Sequence, residues 1–266
     1  MTSPELTGGA GFTYEDTVTA YYLAALVCGT TAAGLSASVV HRVAQQQASF
    51  GQPLDDVIVD ATDLSNGAPM RLALQVKRSL TISDSDSNGD FREVIQRSWE
   101  TFQKSDFRVF ADRVGAATGT ISDAAYRNFQ TICEWARASQ SASSFTQRFA
   151  ADGNASDTHR SLLEAVRSAA RIDGSGSLSD EDLHNLLRHF VLIKFDFLHD
   201  GSVNEAEIIA ALQRGLAPIH ASRAGDLWQQ LRQLARLGSG RSAEFTHASL
   251  LRDLRSFQFT GLRFPY

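Results

Sequence analysis

Two short apolar segments joined by a turn decide the fold of this chain: Pro53-Leu54-Asp55-Asp56-Val57-Ile58-Val59-Asp60 and Leu72-Ala73-Leu74-Gln75-Val76-Lys77-Arg78. The first contains a run of β-branched residues, and the second alternates apolar residues with other types, so both are predicted to be β-strands. The intervening Ser65-Asn66-Gly67-Ala68-Pro69 is rich in turn-forming residues. The pattern therefore predicts a β-hairpin with acidic residues at the start of one strand and a Gln-x-Lys sequence in the next.

Lys77 occupies a strand position where an apolar residue would be expected. A lysine on the face of a sheet loses hydration, so it needs anionic partners. Asp56 is the nearest candidate in sequence, and a metal ion with a bound phosphate would complete such a set of charges. The competing interpretation is a strand edge whose charges are simply hydrated.

Composition limits the classes of protein to which the chain can belong. Its 266 residues fit one large domain or two small ones, and an apolar fraction of 43% is enough to build a core. The formal net charge of −5 argues against a protein that holds nucleic acid by overall charge alone.

The two cysteines and the N-terminus indicate the compartment. Cys28 and Cys133 lie far apart in apolar helical surroundings, which predicts buried thiols in a reducing environment. The N-terminus has no basic signal-peptide region, and no run of about 18 apolar residues follows it. We therefore expect a soluble, cytoplasmic protein without a membrane partner.

The order of predicted elements indicates an α/β fold: a mixed sheet flanked by helices, followed by a mainly helical C-terminal part. A boundary near residue 155 divides the chain into 1–155 and 156–266. The predicted elements are a flexible lead at 1–11, helices near 13–28, 90–103, 204–216, 223–237 and 246–257, and strands near 37–45, 108–111 and 191–197, besides the hairpin. Asp90 is the predicted N-cap of the second helix.

Two segments resemble EF-hand calcium loops, at 173–182 and 196–207. The first matches loop positions 3 to 12 but places Arg171 at position 1, and the second has Leu198 at position 3, so each lacks a ligand that the ion needs. The alternative interpretation is that both are turns that cap helices. The sequence contains no His-Glu-x-x-His, P-loop or Gly-x-Ser-x-Gly motif.

The remaining candidates are Glu15, Asp56, Gln75 and Lys77. An acid on a helix, an acid at a strand, a Gln-x-Lys strand and a helix, in that order, resemble the PD-(D/E)xK nuclease core in its Gln-x-Lys form. The local sequences at 8–16, 53–59 and 74–78 resemble the double-stranded DNA endonuclease effector domains of bacterial anti-phage proteins. Such domains occur in CBASS effectors and at the N-terminus of STAND-type NTPases. The resemblance covers about residues 8–115, and the helical remainder resembles the connector between such a nuclease and an NTPase module.

This resemblance implies a restriction-endonuclease-like fold that cleaves double-stranded DNA with Mg²⁺, or with Mn²⁺ in its place. Asp56, the amide oxygen of Gln75 and the carbonyl of Val76 would bind the ion, because Mg²⁺ prefers hard oxygen ligands. Glu15 would restore the charge lost where Gln replaces the commoner Glu. Lys77 would orient the attacking water and offset charge in the transition state.

The resemblance also bears on neighbouring residues and on regulation. Arg78 would meet the phosphate backbone, Asp60 remains open as a further ligand, and Asp55 is a weaker candidate because adjacent strand side chains point to opposite faces. We expect homo-oligomeric assembly, driven by a C-terminal sensor or NTPase module, to activate the enzyme. The alternative is a catalytically inactive nuclease-like module that binds nucleic acid or a protein partner.

Overall fold

The computed structural model describes residues 4–85, 87–171 and 178–256, and within them the chain has a mixed α/β architecture. Its elements are α1 (Pro4–Cys28), β1 (Ser38–Gln45), β2 (Val57–Asp63), β3 (Pro69–Ser79), α2 (Gly89–Phe102), β4 (Arg113–Thr120), α3 (Asp123–Ala138), α4 (Ala142–Thr146), α5 (Asp157–Ala169), α6 (Asp180–His189), β5 (Phe190–Lys194), α7 (Val203–Gly215), α8 (Ala224–Gly238), β6 (Glu244–Thr246) and α9 (His247–Ser256).

The strands form one six-stranded sheet in the order β5-β4-β3-β2-β1-β6. The pairs β5–β4 and β4–β3 are parallel, and the remaining neighbours are antiparallel. The predicted hairpin is β2–β3, with Val57 opposite Leu74. Asp56 and Gln75 each lie one residue beyond this pair, so the register brings them to the same end of the hairpin. A mixed sheet flanked by helices confirms the predicted α/β fold class.

Helices cover both faces of the sheet and create two cores. On one face, α1 packs against β1 and β3 and is itself covered by α7, α8 and α9. From Tyr14 onward α1 is therefore buried on almost every side, including Tyr22 and Leu23. On the other face, α2, α3, α5 and α6 enclose the second core, in which Phe91, Val94, Ile95 and Trp99 form the predicted inner face of α2.

The described residues between 156 and 256 are mainly helical, as predicted, and they contribute two strands: β5, near the strand predicted at 191–197, and β6, which was not predicted. β5 and β6 join the sheet at its two opposite edges. Strands from both sides of residue 155 thus lie in one sheet, and the division into two domains stays a prediction.

The prediction of a strand at 108–111 is wrong. These residues form a turn because the Asp112 carboxylate accepts the backbone N–H of Arg108 at 2.9 Å and that of Arg71 at 2.8 Å. The strand begins only at Arg113, and its small residues have a weak strand signal. At Gly115 a Cβ atom would lie 1.8 Å from the carbonyl oxygen of Val191, so the close approach of β5 needs glycine.

Three element boundaries also differ from the predictions. The expected flexible lead at 1–11 is wrong over its described part, because α1 begins at Pro4, and proline suits the first turn of a helix. The N-cap of α2 is Asn88 rather than Asp90, and its side chain accepts the N–H of Phe91. β5 ends at Lys194, short of the predicted end at 197.

Both cysteines are free, buried thiols, as predicted. Of the first EF-hand-like segment, 173–182, residues 173–177 lie outside the described residues; in the described part, Ser179 caps α6 by accepting the backbone N–H of Asp182. In the second, Asp196 accepts the backbone N–H groups of Val203 and Asn204, and Ser202 caps α7. The helix-capping interpretation is therefore confirmed for that segment. No described helix is long and apolar enough to cross a membrane.

Candidate functional site

The candidate site lies where α1 passes the end of the β2–β3 hairpin. Asp56 comes just before β2 and faces β3, where Gln75 Nε2 donates to Asp56 Oδ2 at 2.5 Å. The backbone N–H of Val76 donates to the same carboxylate oxygen at 2.6 Å. The structure therefore brings together Asp56, Gln75 and Val76, three of the residues that the sequence singled out.

Glu15 of α1 joins this group as a second acid. Burial raises the pKa of Glu15 well above its ordinary value, and the negative charges of Asp56, Asp16 and Asp55 raise it further. Burial also raises the pKa of Asp56, against the opposing effect of the Val76 N–H group. Because the charge of Asp56 makes Glu15 harder to ionise, a proton or a cation between the two carboxyl groups is favoured.

The backbone of Val76 faces the site with both of its polar groups. In an antiparallel sheet a residue directs its N–H and its carbonyl toward the same neighbouring strand. Because the Val76 N–H reaches Asp56, its carbonyl lies on that side of β3. This orientation agrees with the predicted use of the carbonyl as a ligand, although the ligand role itself stays a prediction.

The oxygen atoms of these residues could serve as ligands of a hard divalent cation. Among the described residues no three His, Cys, Asp or Glu side chains group as a metal site, so the set consists of two carboxylates, one amide and one carbonyl. All four supply oxygen, the ligand that Mg²⁺ and Mn²⁺ accept. The Gln75 amide directs its nitrogen at Asp56, and its Oε1 accepts from Arg97 Nη1 at 3.4 Å. Presenting the oxygen to a cation therefore requires a half-turn of the amide group that breaks the contact with Arg97.

Lys77 does not pair with Asp56, the partner that the sequence suggested. Its Nζ contacts Glu93 Oε2 at 2.5 Å and Asp90 Oδ1 at 3.2 Å, both on α2. The side chain lies on the α2 face of β3, which it shares with Gln75. The charge of Lys77 still lowers the pKa of Asp56, so the ammonium group is within electrostatic reach of the site.

Arg97 of α2 links this helix to the end of the β2–β3 hairpin, and sequence reasoning missed it. Its guanidinium contacts Asp55 Oδ1 at 2.6 Å and Glu93 Oε1 at 2.8 Å, and it donates to Gln75 Oε1 at 3.4 Å. Asp90, Glu93 and Arg97 are spaced three and four residues apart, so they follow one face of α2. This spacing, opposite the apolar face of the helix, was the available signal.

Asp60 and Arg78 lie apart from the group around Asp56. Asp60 is held by Arg42 at 2.6 Å and Arg71 at 2.8 Å. Burial alone would raise its pKa, but the two guanidinium groups hold it below the ordinary value. Asp60 is therefore neutralised within the protein and is a poor candidate for a ligand. Arg78 is exposed near the end of β3, where it is accessible to a phosphate backbone.

Comparison with known proteins identifies no family for the chain. No family description matches it, and no curated protein matches it. Similar solved structures include the Acinetobacter baumannii Cap4 SAVED/CARF-domain containing receptor with the cyclic trinucleotide 3'3'3'-cAAA, at 12% identity over 92% of this chain, with a TM-score of 0.48. The Moraxella osloensis Cap4 SAVED/CARF-domain containing receptor is 15% identical over 94% of this chain, with a TM-score of 0.49.

The chain spans less than half the length of these receptors, 46% of the first and 48% of the second. At such identities and TM-scores, the likeness carries no argument about function.

Proposed function

We propose that this chain is a Mg²⁺-dependent DNA endonuclease that acts as an effector of bacterial anti-phage defence. The observation that supports this most is the double contact of Asp56 with the Gln75 side chain and the Val76 backbone, beside Glu15. The sequence resemblance requires these residues to meet. The role in defence rests on that resemblance alone.

In this proposal Asp56, Glu15, the Gln75 amide oxygen and the Val76 carbonyl hold the cation. The cation, when bound, polarises the phosphodiester and lowers the pKa of a water molecule. Lys77 orients the attacking water and offsets negative charge that develops on the phosphate. Burial by itself lowers the pKa of Lys77, but Glu93 and Asp90 raise it on balance, so the side chain is charged at neutral pH.

Activation by assembly is the second part of the proposal. The net charge of −5 leaves one copy a weak electrostatic hold on a duplex, since affinity grows with the number of phosphates neutralised. Several copies brought together by a C-terminal NTPase or sensor module would add their weak DNA contacts. Such an arrangement keeps a defence nuclease inactive until it is triggered.

The second candidate function is a non-catalytic nuclease-like module that binds nucleic acid or a protein partner. One specific observation favours it: the two basic side chains that act on Asp56 are already paired with carboxylates. Lys77 is held by Glu93 and Asp90, and Arg97 is held by Asp55 and Glu93. A basic group neutralised in this way is less available to a phosphate.

The experiment that separates the two candidates is plasmid nicking with Mg²⁺, with Mn²⁺ and with EDTA. We expect the wild type to cut with either metal and Asp56→Asn to be inactive. Asp63→Asn is the matched control, because Asp63 ends the strand that Asp56 precedes and its carboxylate accepts hydrogen bonds from Ser65 of the adjoining turn, away from the site. If the wild type binds labelled duplex in EDTA but cuts with neither metal, the endonuclease proposal fails and the binding module stands.

A further inference from the structure

Gln46 has an unusual backbone conformation at the end of β1. Its φ angle is +52°, in the left-handed region that residues other than glycine seldom adopt. Such a conformation persists only where the surrounding contacts determine it, and it often marks a functional site. The contacts of Gln46 therefore show what holds this conformation in place.

The side-chain amide of Gln46 joins Glu15 to the segment 239–242, between α8 and β6. Its Nε2 donates to Glu15 Oε1 at 3.2 Å and to Ser239 Oγ at 3.0 Å. Its Oε1 accepts the backbone N–H of Gly240. The reverse amide orientation would turn oxygen toward the carboxylate and nitrogen toward an N–H group, so these partners fix the amide in one orientation.

The backbone of Gln46 makes the same connection a second time. Its N–H donates to the carbonyl of Asp56 at 3.3 Å. Its carbonyl accepts the hydroxyl of Ser242 at 2.7 Å. One residue thus touches both acids of the candidate site and both ends of the segment 239–242.

We propose that Gln46 is a positioning residue that holds Glu15 beside Asp56 for the cation, and that the segment 239–242 fixes Gln46 in turn. The inference rests on the proposed metal-dependent function and adds to it a route for regulation. A movement of α8 and β6, which belong to the C-terminal part of the chain, would reach the metal ligands through a single residue, Gln46.

The competing explanation is that Gln46 merely anchors the C-terminal segment. Its neighbours provide that role without contacting Glu15: Gln45 Nε2 donates to the Ala235 carbonyl at 2.7 Å, and Gln47 Nε2 donates to the Ser242 carbonyl at 3.0 Å. Gln47→Ala is therefore the matched control, since it weakens the anchor and spares the bond to Glu15.

The test is Mn²⁺ binding to the full chain by isothermal titration calorimetry. Gln46→Gly removes the amide while glycine accepts the positive φ angle. We expect about tenfold weaker Mn²⁺ binding, the usual scale for an outer partner of a ligand. Gln46→Asn, whose shorter amide also tolerates this backbone, should lose affinity too, Ser239→Ala should lose less, and Gln47→Ala should match the wild type.

A double-mutant cycle with Glu15→Gln separates positioning from anchoring. If Gln46 acts through Glu15, Gln46→Gly should change Mn²⁺ affinity little further in the Glu15→Gln background. The inference is overturned if the full loss persists there, if Gln46→Gly and Gln46→Asn bind Mn²⁺ normally, or if the wild type binds no Mn²⁺. If the cycle shows that Gln46 acts on Mn²⁺ binding through Glu15 but the wild type does not cleave plasmid, the proposed nuclease is rejected and this inference stands.

Discussion

Replacing Lys77 with alanine should separate a catalytic lysine from a structural one. The side chain is 18% exposed and its partners Glu93 and Asp90 are 34% and 64% exposed. Ion pairs this open to solvent contribute up to about 1 kcal/mol. Removal of the ammonium leaves no isolated buried charge, because Glu93 keeps Arg97 at 2.8 Å and Asp90 is hydrated.

We therefore expect Lys77→Ala to lower the free energy of unfolding by about 1 kcal/mol, a small part of the usual 5 to 15 kcal/mol or so. Loss of a group that stabilises transition-state charge lowers the rate by about 100- to 1000-fold, equivalent to about 3 to 4 kcal/mol. Activity should consequently fall far more than stability.

The assays are plasmid cleavage in Mg²⁺ and urea denaturation of the same preparations. Lys194→Ala is the matched control, because Lys194 also forms an ion pair with an acid at the start of a helix, Asp123, at 2.6 Å. It should lose similar stability and no activity. Cleavage by Lys77→Ala within threefold of the wild-type rate would refute the catalytic role, and a loss of several kcal/mol in stability would identify a structural lysine.

Four further predictions follow from the same contacts and charges. Asp56→Ala should weaken Mn²⁺ binding more than Glu15→Ala, because Asp56 is the proposed central ligand; equal calorimetric affinities for wild type and Asp56→Ala would refute this role. Gln75→Glu should still cut with Mg²⁺ but melt at a lower temperature in EDTA, since it adds a carboxylate beside Asp56; loss of cutting would show that the site needs the amide. Burial lowers the pKa of His189 to about 4 from an ordinary 6.5, so the unfolded chain binds that proton first as the pH falls. Between about pH 7.5 and about pH 5 the wild type should therefore lose roughly 2 kcal/mol more unfolding free energy than His189→Asn. If the unfolding free energies of the two proteins change in parallel over this pH range, the lowered pKa of His189 is contradicted. A forced tetramer should cut faster per subunit than the dilute chain at fixed salt, whereas equal, fast cutting by the monomer would exclude activation by assembly.

Much of the fold could be predicted because its signals are local. The β2–β3 hairpin, the inner face of α2 and the last three helices follow from the period of the apolar residues and from turn chemistry. β4 and β6 were missed for a physical reason: one is built of small residues, and the other is three residues long. Both are strands because a neighbouring strand pairs with them, and that pairing is not encoded in their own composition.

The sequence by itself indicated the β2–β3 hairpin, and the resemblance carried by the order of its motifs grouped Asp56 with Gln75. It also pointed to Glu15 through the order of the motif. Only the tertiary structure decided that Lys77 pairs with α2 rather than with Asp56, and that Gln46 holds Glu15. The contact of Lys77 depends on how α2 is rotated against the sheet, and that of Gln46 depends on where a segment almost 200 residues away packs. Both are set by the burial of the apolar faces of the helices against the sheet, which no local stretch of sequence encodes.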